Sequence, residues 1–146
     1  MFPRYFECFA LLICFIVLLD NHADAAMTME QMENAAKGFR NVCQPKTGAD
    51  PAILEGMKRG EFPPDPKFQC YTKCVMTMLK SLKNGKPVLE TLLKQINIMM
   101  PTDMHERTSA VARNCVTLDF NEDPCVAAWQ FVKCQYETDP GVFFFP

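Results

Sequence analysis

Residues 70–82 read Cys70-Tyr71-Thr72-Lys73-Cys74-Val75-Met76-Thr77-Met78-Leu79-Lys80-Ser81-Leu82, and the rest of the chain is organised around them. Apolar residues recur here at spacings of three and four, which predicts a helix with one buried face. Cys70 and Cys74 are four residues apart, so on a helix their Cβ atoms lie roughly 5–6 Å apart, whereas a disulfide needs about 3.5–4.5 Å. We therefore expect the two cysteines to bond to different partners and to join this central helix to other parts of the chain.

Residues 1–26 have the pattern of a secretory signal peptide. Arg4 precedes an apolar run at 8–19, and Ala23-Asp24-Ala25 provides an Ala-x-Ala cleavage site. A run of this length is too short to cross a bilayer core of about 30 Å as a helix, although a signal anchor remains the alternative. We expect cleavage after residue 25 or 26, which leaves residues 27–146 as one secreted, extracellular domain with no membrane span.

The charge of this mature segment is balanced. The full chain has 15 basic and 17 acidic residues, and removal of Arg4, Glu7, Asp20 and Asp24 leaves 14 of each. A neutral surface does not favour nucleic acid or an anionic membrane as a partner. A segment of this length makes one domain with a moderate hydrophobic core, which additional cross-links would stabilise.

Six cysteines remain in the mature segment, and an even set in a secreted chain indicates three disulfides. The alternative is a zinc site, which would need four well-spaced ligands and usually includes histidine. His105 is the only histidine of the mature segment, so we expect no metal. The spacing alone does not decide which cysteines pair. They are Cys43, Cys70, Cys74, Cys115, Cys125 and Cys134.

Prolines and capping residues divide the mature segment into about six predicted helices. Thr28 with Gln31 forms a capping box, and Asp-Pro pairs at 50–51, 65–66 and 123–124 each place a cap before a first-turn proline. No alternating strand pattern extends beyond a few residues, so the sequence predicts an all-α domain with a non-helical hinge at 98–101. The predicted helices span about 28–42, 51–59, 66–83, 88–97 and 102–120, with the last starting at residue 124.

The final segment reads Gly141-Val142-Phe143-Phe144-Phe145-Pro146. Chain ends are usually polar and loose, but three consecutive phenylalanines in water would form an adhesive apolar patch. We expect this segment to fold back and bury at least two of the rings. The alternative is a disordered, sticky end.

The mature segment lacks the motifs that catalysis needs. It contains no Gly-x-Ser-x-Gly motif and no phosphate-binding glycine loop, and a hydrolase would depend on His105 alone. We therefore expect neither an enzyme nor a cofactor. The segment does contain nine methionines and eight phenylalanines, and methionine adapts to irregular space. These side chains form either an ordinary core or the lining of a ligand cavity.

The cysteine spacing, with 26, 3, 40, 9 and 8 intervening residues, resembles the six-cysteine signature of insect odorant-binding proteins, the pheromone-binding and general-odorant-binding family. The segments 27–31 and 70–75 and the closing phenylalanine and proline are especially similar to the Lush-type members of flies. The resemblance implies six helices around an internal apolar cavity, with the final segment folded over the pocket. It also implies three disulfides, which pair Cys43 with Cys74, Cys70 with Cys125, and Cys115 with Cys134.

The same resemblance implies a non-enzymatic carrier of small hydrophobic odorants or pheromones, which delivers them through sensillar lymph to olfactory receptors. The alternative is a secreted interaction module that acts on a receptor and uses the ligand only as a modulator. The ligand-binding residues that the resemblance implies are Thr72, Met76, Leu79, Ser81, Val88, Leu93, Ile96, Met99, Ala128, Trp129, Val132, Phe143 and Phe145.

Two positions differ from the Lush-type pattern, in which a hydroxyl pair on the central helix holds short alcohols. At the two positions of that hydroxyl pair this chain has Met76 and Ser81, so the thioether of Met76 replaces one hydroxyl. Ser81, together with Thr72, could still orient a hydroxyl or carbonyl of a ligand. Phe145 also stands before the final proline where the similar proteins have tryptophan, and the indole N–H is lost. Both differences favour larger and less polar ligands.

Overall fold

The computed structural model of the protein describes residues 26–146, which form six α-helices. The predicted signal peptide lies outside these residues except for Ala26, and it stays a prediction. Within residues 26–146 no helix combines the length and the apolar character needed to cross a membrane. The helices are α1 (Met29–Thr47), α2 (Pro51–Met57), α3 (Pro66–Met78), α4 (Leu89–Met99), α5 (His105–Cys115) and α6 (Pro124–Thr138). Two-residue strands β1 (Leu82–Lys83) and β2 (Lys86–Pro87) pair antiparallel, and single 3₁₀ turns occupy Thr102–Met104 and Pro140–Val142.

The predicted helix starts are confirmed at four positions. The Thr28 hydroxyl accepts a hydrogen bond from the Gln31 amide, and the Gln31 side chain accepts one from the Thr28 amide, which completes the capping box of α1. At the starts of α2, α3 and α6, the side chains of Asp50, Asp65 and Asp123 accept hydrogen bonds from backbone amides, and a proline directly follows each of them. A cap of this kind contributes about 1 kcal/mol to helix stability.

The central helix is shorter than the sequence predicts, because α3 ends at Met78 and not near Lys83. Lys80 adopts the left-handed conformation (φ 54°), the Lys80 amide donates to the Thr77 carbonyl, and the Ser81 amide donates to the Met76 carbonyl. These two hydrogen bonds form a Schellman motif, which ends a helix by turning the chain away from its axis. Ser81 therefore lies in the connection that leads to β1, outside the helix on which it was expected.

Other helix ends also differ from their predictions. The first helix continues through Pro45 to Thr47, where Gly48 (φ 68°) closes it. The helix α5 ends at Cys115 and not near residue 120, since the Thr117 hydroxyl and amide both bond to the Asn114 carbonyl and form a local turn. The non-helical hinge begins two residues later than predicted. Residues 98 and 99 are helical, and only the next two residues are extended, because the helical conformation is unfavourable for a residue that precedes proline.

The second helix ends at Met57 and not at residue 59, and Gly60 (φ 85°) then makes the turn into the extended segment before α3. A Cβ atom at Gly60 would overlap the ring of Tyr136 on α6, so this turn requires glycine for both conformation and space. The turn brings Phe62 against α3 and α6, where its ring packs beside Phe68 and Tyr136.

The helix α3 lies between α1 and α6 and forms the centre of the core. Phe68, Tyr71 and Val75 are buried on this helix, as its apolar spacing predicts, whereas Met78 at the next position of that spacing is exposed. Met76 is also buried, although it does not belong to the predicted apolar face. Three disulfides are formed, and they confirm both the pairing implied by the resemblance and the prediction that the two cysteines of α3 have different partners. They join Cys43 to Cys74, Cys70 to Cys125, and Cys115 to Cys134.

Candidate ligand-binding site

An apolar cavity of about 110 Å³ lies between α1, α4, α5, α6 and the end of α3, and residues 143–146 close it. We call residues 143–146 the tail. A cavity of roughly 150 Å³ in another protein is large enough for benzene, so this space is somewhat smaller than the volume that holds one small ring, and a ring enters it when the flexible side chains of the wall move slightly. The apolar lining side chains come from Met32, Ala36, Phe39, Met76, Leu79, Leu92, Ile96, Met99, Met100, Val111, Phe131, Val142, Phe143, Phe144, Phe145 and Pro146. The polar lining side chains are those of Ser81, Gln95, Thr108 and Gln135.

Seven of the thirteen predicted ligand-binding residues lie on the cavity wall. They come from the end of α3 and the connection after it, from one face of α4, and from the tail. The structure therefore brings these side chains together, and their contact with a ligand stays a prediction. They are Met76, Leu79, Ser81, Ile96, Met99, Phe143 and Phe145.

Three predicted residues are buried in the helix core and do not reach the cavity. Ala128 and Val132 lie on the α6 face that packs against α3, and they have no exposed surface. Thr72 is equally buried, and its hydroxyl donates to the Gln69 carbonyl at 2.7 Å, so the structure does not bring Thr72 to the cavity wall beside Ser81. Helical periodicity indicates that a position is buried, but it does not tell whether a helix or a ligand covers it.

The three remaining predicted residues lie outside the cavity. Val88 is the residue before α4 and does not border the space. Leu93 packs against a neighbouring apolar cluster, because the α4 face that borders the cavity contains Leu92, Gln95, Ile96 and Met99. Trp129 borders a surface groove on another side of α6, and the Lys133 ammonium lies 5.3 Å from the centre of its ring.

Several wall residues were not predicted, although the sequence contains a signal for them. Met32, Ala36 and Phe39 follow each other at spacings of four and three on α1, the pattern of one helix face. Thr108 and Val111 on α5 are likewise three apart. The ligand-binding residues that the resemblance implies include none on these faces of α1 and α5.

The tail folds back over the cavity, as expected. Phe143 packs edge-on against Tyr136, with ring centres 5.2 Å apart, and Phe145 packs against Tyr71 at 6.5 Å. Only Phe145 is buried; Phe143 and Phe144 are half-buried. The expectation of two buried rings is therefore met only in part, since the tail lies at the surface and has solvent on its outer side.

One hydrogen bond joins the tail to the central helix. The Tyr71 hydroxyl donates to the backbone oxygen of Pro146 at 2.8 Å. Burial raises the pKa of Tyr71 to about 12, so this hydroxyl keeps its proton and remains a donor at any physiological pH. The bond links the last residue of the tail to the helix that carries two of the disulfides.

The outer side of the tail borders an open cleft of about 470 Å³. Lys37, Arg40 and Lys58 lie along this cleft, and the tail separates it from the internal cavity. The cleft is larger than the cavity, but charged side chains stand among the apolar ones along it. The cavity has a mainly apolar lining and is the better candidate for binding a small apolar molecule, since apolar surface that is buried there is removed from water.

A helical domain cross-linked by disulfides around an apolar cavity is typical of small-ligand carriers. The model of the PBP/GOBP family matches residues 25–138, and the chain belongs to this family of odorant-binding proteins. It is 34% identical to general odorant-binding protein 72 of Anopheles gambiae over 83% of this chain and 100% of that protein. It is 30% identical to general odorant-binding protein 19a of Drosophila melanogaster over 93% of this chain and 97% of that protein.

The fold is also similar to that of a solved family member. Odorant binding protein 5 of Apis mellifera superimposes with a TM-score of 0.79 and 36% identity, over 83% of this chain and 99% of that one. Together with the family match, this similarity supports a role as a carrier of small ligands. The assignment does not need the more specific likeness to Lush-type members.

Proposed function

We propose that this protein is a secreted, non-enzymatic carrier that encloses one small hydrophobic odorant or pheromone in the cavity behind its tail and delivers it to an olfactory receptor. The observation that carries the proposal is the apolar cavity bounded by α1, α4, α5, α6 and the tail. Membership of the odorant-binding family supports it. Secretion into an extracellular fluid such as sensillar lymph fits the family and depends on the predicted signal peptide.

The size of the cavity limits the affinity. A ligand of one small ring that buries about 200 Å² of apolar surface gains about 5 kcal/mol before the cost of association. Micromolar binding therefore requires a larger ligand. The methionines of the wall, Met32, Met76, Met99 and Met100, provide flexible side chains that can rearrange around one. A long-chain ligand would in addition require the tail to move outward into the cleft.

Binding is tested by equilibrium partition of volatile compounds between the protein solution and its headspace, measured by gas chromatography. We expect wild-type protein to retain compact apolar volatiles such as cyclohexanone. The variant Val111→Phe fills the cavity with extra carbon atoms and should lower retention at least tenfold. The matched control is Leu118→Phe, which adds the same group type at an exposed position away from the cavity.

Both variants are first compared with wild type by circular dichroism, so that loss of binding is separated from loss of folding. Equal retention by folded Val111→Phe and wild type would contradict the assignment of the cavity as the binding site. Failure of wild-type protein to retain any apolar compound would contradict the carrier function itself.

A further inference from the structure

Three threonine and serine hydroxyls are buried in the interior, and they differ in their hydrogen bonds. Thr72, Ser81 and Thr108 expose 0%, 1% and 6% of their surface. The Thr72 hydroxyl donates to the Gln69 carbonyl at 2.7 Å, and the Ser81 hydroxyl donates to the Leu79 carbonyl at a longer 3.4 Å. The Thr108 hydroxyl has no hydrogen-bond partner among residues 26–146. Of these three residues, Thr108 alone is absent from the predicted ligand-binding residues.

The free hydroxyl of Thr108 is unusual for its position in a helix. A helical threonine commonly donates to the carbonyl three or four residues earlier, as Thr77 does to Lys73 at 2.7 Å. Thr108 lies in α5, and its hydroxyl makes no such bond. A buried hydroxyl without a partner costs free energy, and that cost is recovered when a partner arrives.

The missing partner can come from a ligand, because Thr108 lies on the cavity wall one turn before Val111. Its hydroxyl oxygen has almost no accessible surface in the structure. A rotation about the Cα–Cβ bond from one staggered rotamer to another moves the hydroxyl into the place of the methyl group or of the β-hydrogen, and helical threonine populates two rotamers. The residue can therefore present either a methyl group or an O–H donor at this part of the wall.

We infer that the Thr108 hydroxyl is a specificity-determining donor that binds the carbonyl oxygen of an aldehyde, ketone or ester in the cavity. This inference rests on the carrier function proposed above and names its ligand class. A carbonyl supplies an acceptor and brings no hydrogen that itself needs a partner. An alcohol brings its own O–H group, which needs a further acceptor such as the side-chain carbonyl of Gln95 or Gln135 on the wall, and a hydrocarbon leaves Thr108 unpaired.

The test compares two probes of nearly the same shape, cyclohexanone and methylenecyclohexane, in which a CH₂ group replaces the carbonyl oxygen. Their dissociation constants are measured by headspace partition on folded wild type, Thr108→Val and Thr108→Ser. Thr108→Val keeps the side-chain shape and removes the donor, and Thr108→Ser keeps the donor. We expect Thr108→Val to weaken cyclohexanone binding about tenfold and to leave methylenecyclohexane within twofold. Thr108→Ser should retain the preference for the ketone.

One control variant removes a buried hydroxyl that does not reach the cavity, since Thr72 already donates to a backbone carbonyl. Thr72→Val should change the ratio of the two dissociation constants by less than threefold. Ser81→Ala removes the competing hydroxyl of the cavity wall and should leave the ketone preferred, because that hydroxyl already donates to the Leu79 carbonyl. Thr108→Val should be at least as stable as wild type in thermal unfolding, since it removes an unpaired polar group.

The possible failures are distinguishable. If wild type binds both probes and Thr108→Val changes neither, or changes both equally, the inference is wrong and the carrier function stands. If Ser81→Ala abolishes the ketone preference in place of Thr108→Val, Ser81 is the donor and the inference is again wrong. If wild type binds neither probe, the carrier function and the inference fail together.

Discussion

The cavity wall formed by α3 and the wall formed by the tail are held in place by different kinds of interaction. The helix is bonded covalently to α1 through Cys43 and Cys74 and to α6 through Cys70 and Cys125. The tail is held by ring packing and by one hydrogen bond from Tyr71. One wall is therefore fixed relative to the core, whereas the other can open while the domain remains folded.

The interactions that hold the two walls also differ in the free energy that they contribute. A disulfide that closes a loop of this size contributes about 3–4 kcal/mol in the chain-entropy description. An edge-on aromatic pair contributes about 0.5–1.5 kcal/mol beyond its buried area, and a neutral hydrogen bond about 1 kcal/mol. A ligand that enters the cavity would therefore displace the wall that is held by weaker interactions, which is the tail. The following experiments test this difference, from the largest expected effect to the smallest.

Removal of the disulfide between Cys70 and Cys125 should have the largest effect. The double variant Cys70→Ala/Cys125→Ala opens a loop with a separation of 55 residues and should lower the free energy of unfolding by about 4 kcal/mol. The matched control is Cys115→Ala/Cys134→Ala, whose separation is 19 residues and whose expected loss is about 3 kcal/mol. Denaturant unfolding measures both values, and a larger loss in the control would contradict loop length as the main cause.

Deletion of residues 143–146 should change ligand exchange more than it changes folding. It removes the Phe143 and Phe145 ring pairs, the Tyr71 bond to the tail and the apolar area that the buried Phe145 covers, so we expect a loss of at least about 2 kcal/mol in unfolding free energy. Cyclohexanone should dissociate at least tenfold faster, as measured by NMR line shapes. Unchanged affinity and exchange would contradict the tail as a cavity wall and would favour the alternative of an interaction module in which the tail contacts a receptor.

The substitution Tyr71→Phe removes only the hydrogen bond between α3 and the tail. We expect a loss of about 1 kcal/mol in holding the tail closed, which corresponds to about fivefold faster ligand dissociation. The matched control is Tyr136→Phe, which removes a hydroxyl but keeps the ring that packs on Phe143. Equal exchange rates in wild type, Tyr71→Phe and the control would show that the hydroxyl of Tyr71 does not hold the tail.

The smallest effect is expected at the rim of the outer cleft, where Glu55 joins Arg40 of α1 to Lys58. The hydrogen bond from Arg40 lowers the pKa of Glu55 below its usual range. A lowered pKa means that the ion pairs stabilise the fold above about pH 4.5 and lose this effect as the pH falls through the folded-state value. Because about half of the Glu55 side chain and of the Lys58 side chain is exposed to solvent, the expected contribution is below about 1 kcal/mol.

This pH dependence is measured by unfolding wild type and Glu55→Gln at pH 6 and at pH 3. The difference in unfolding free energy between the two proteins should be present at pH 6 and should shrink at pH 3. A difference that grows as the pH falls would have the wrong sign and would contradict the assignment of Glu55 as an ionised partner of Arg40.

The sequence predicts the helix starts better than the helix ends. Asp50, Asp65 and Asp123 stand directly before prolines, and a cap followed by a first-turn proline has one strong structural meaning. The end of α3 depends on Lys80 in the left-handed conformation, which an ordinary lysine does not signal. The missed Schellman motif moved Ser81 out of the helix, although Ser81 still lies on the cavity wall.

The site is only partly predictable, for a physical reason. The helical spacing of Ala128 and Val132 indicates that these residues are buried, but the partner that covers them depends on how the helices pack, which a single sequence does not reveal. The disulfide pairing came from the resemblance to a family, because the spacing of the cysteines allows several pairings. The unpaired hydroxyl of Thr108 could be recognised only in three dimensions.

The central claim is that a small apolar ligand occupies the apolar cavity behind the tail. The most direct test is the set of NMR nuclear Overhauser effects between bound cyclohexanone and labelled methyl groups of the protein. We predict contacts with Met76, Ile96 and Val111, which line the cavity. Contacts confined to Leu118 and the groove around Trp129 would place the ligand outside the cavity and contradict the claim.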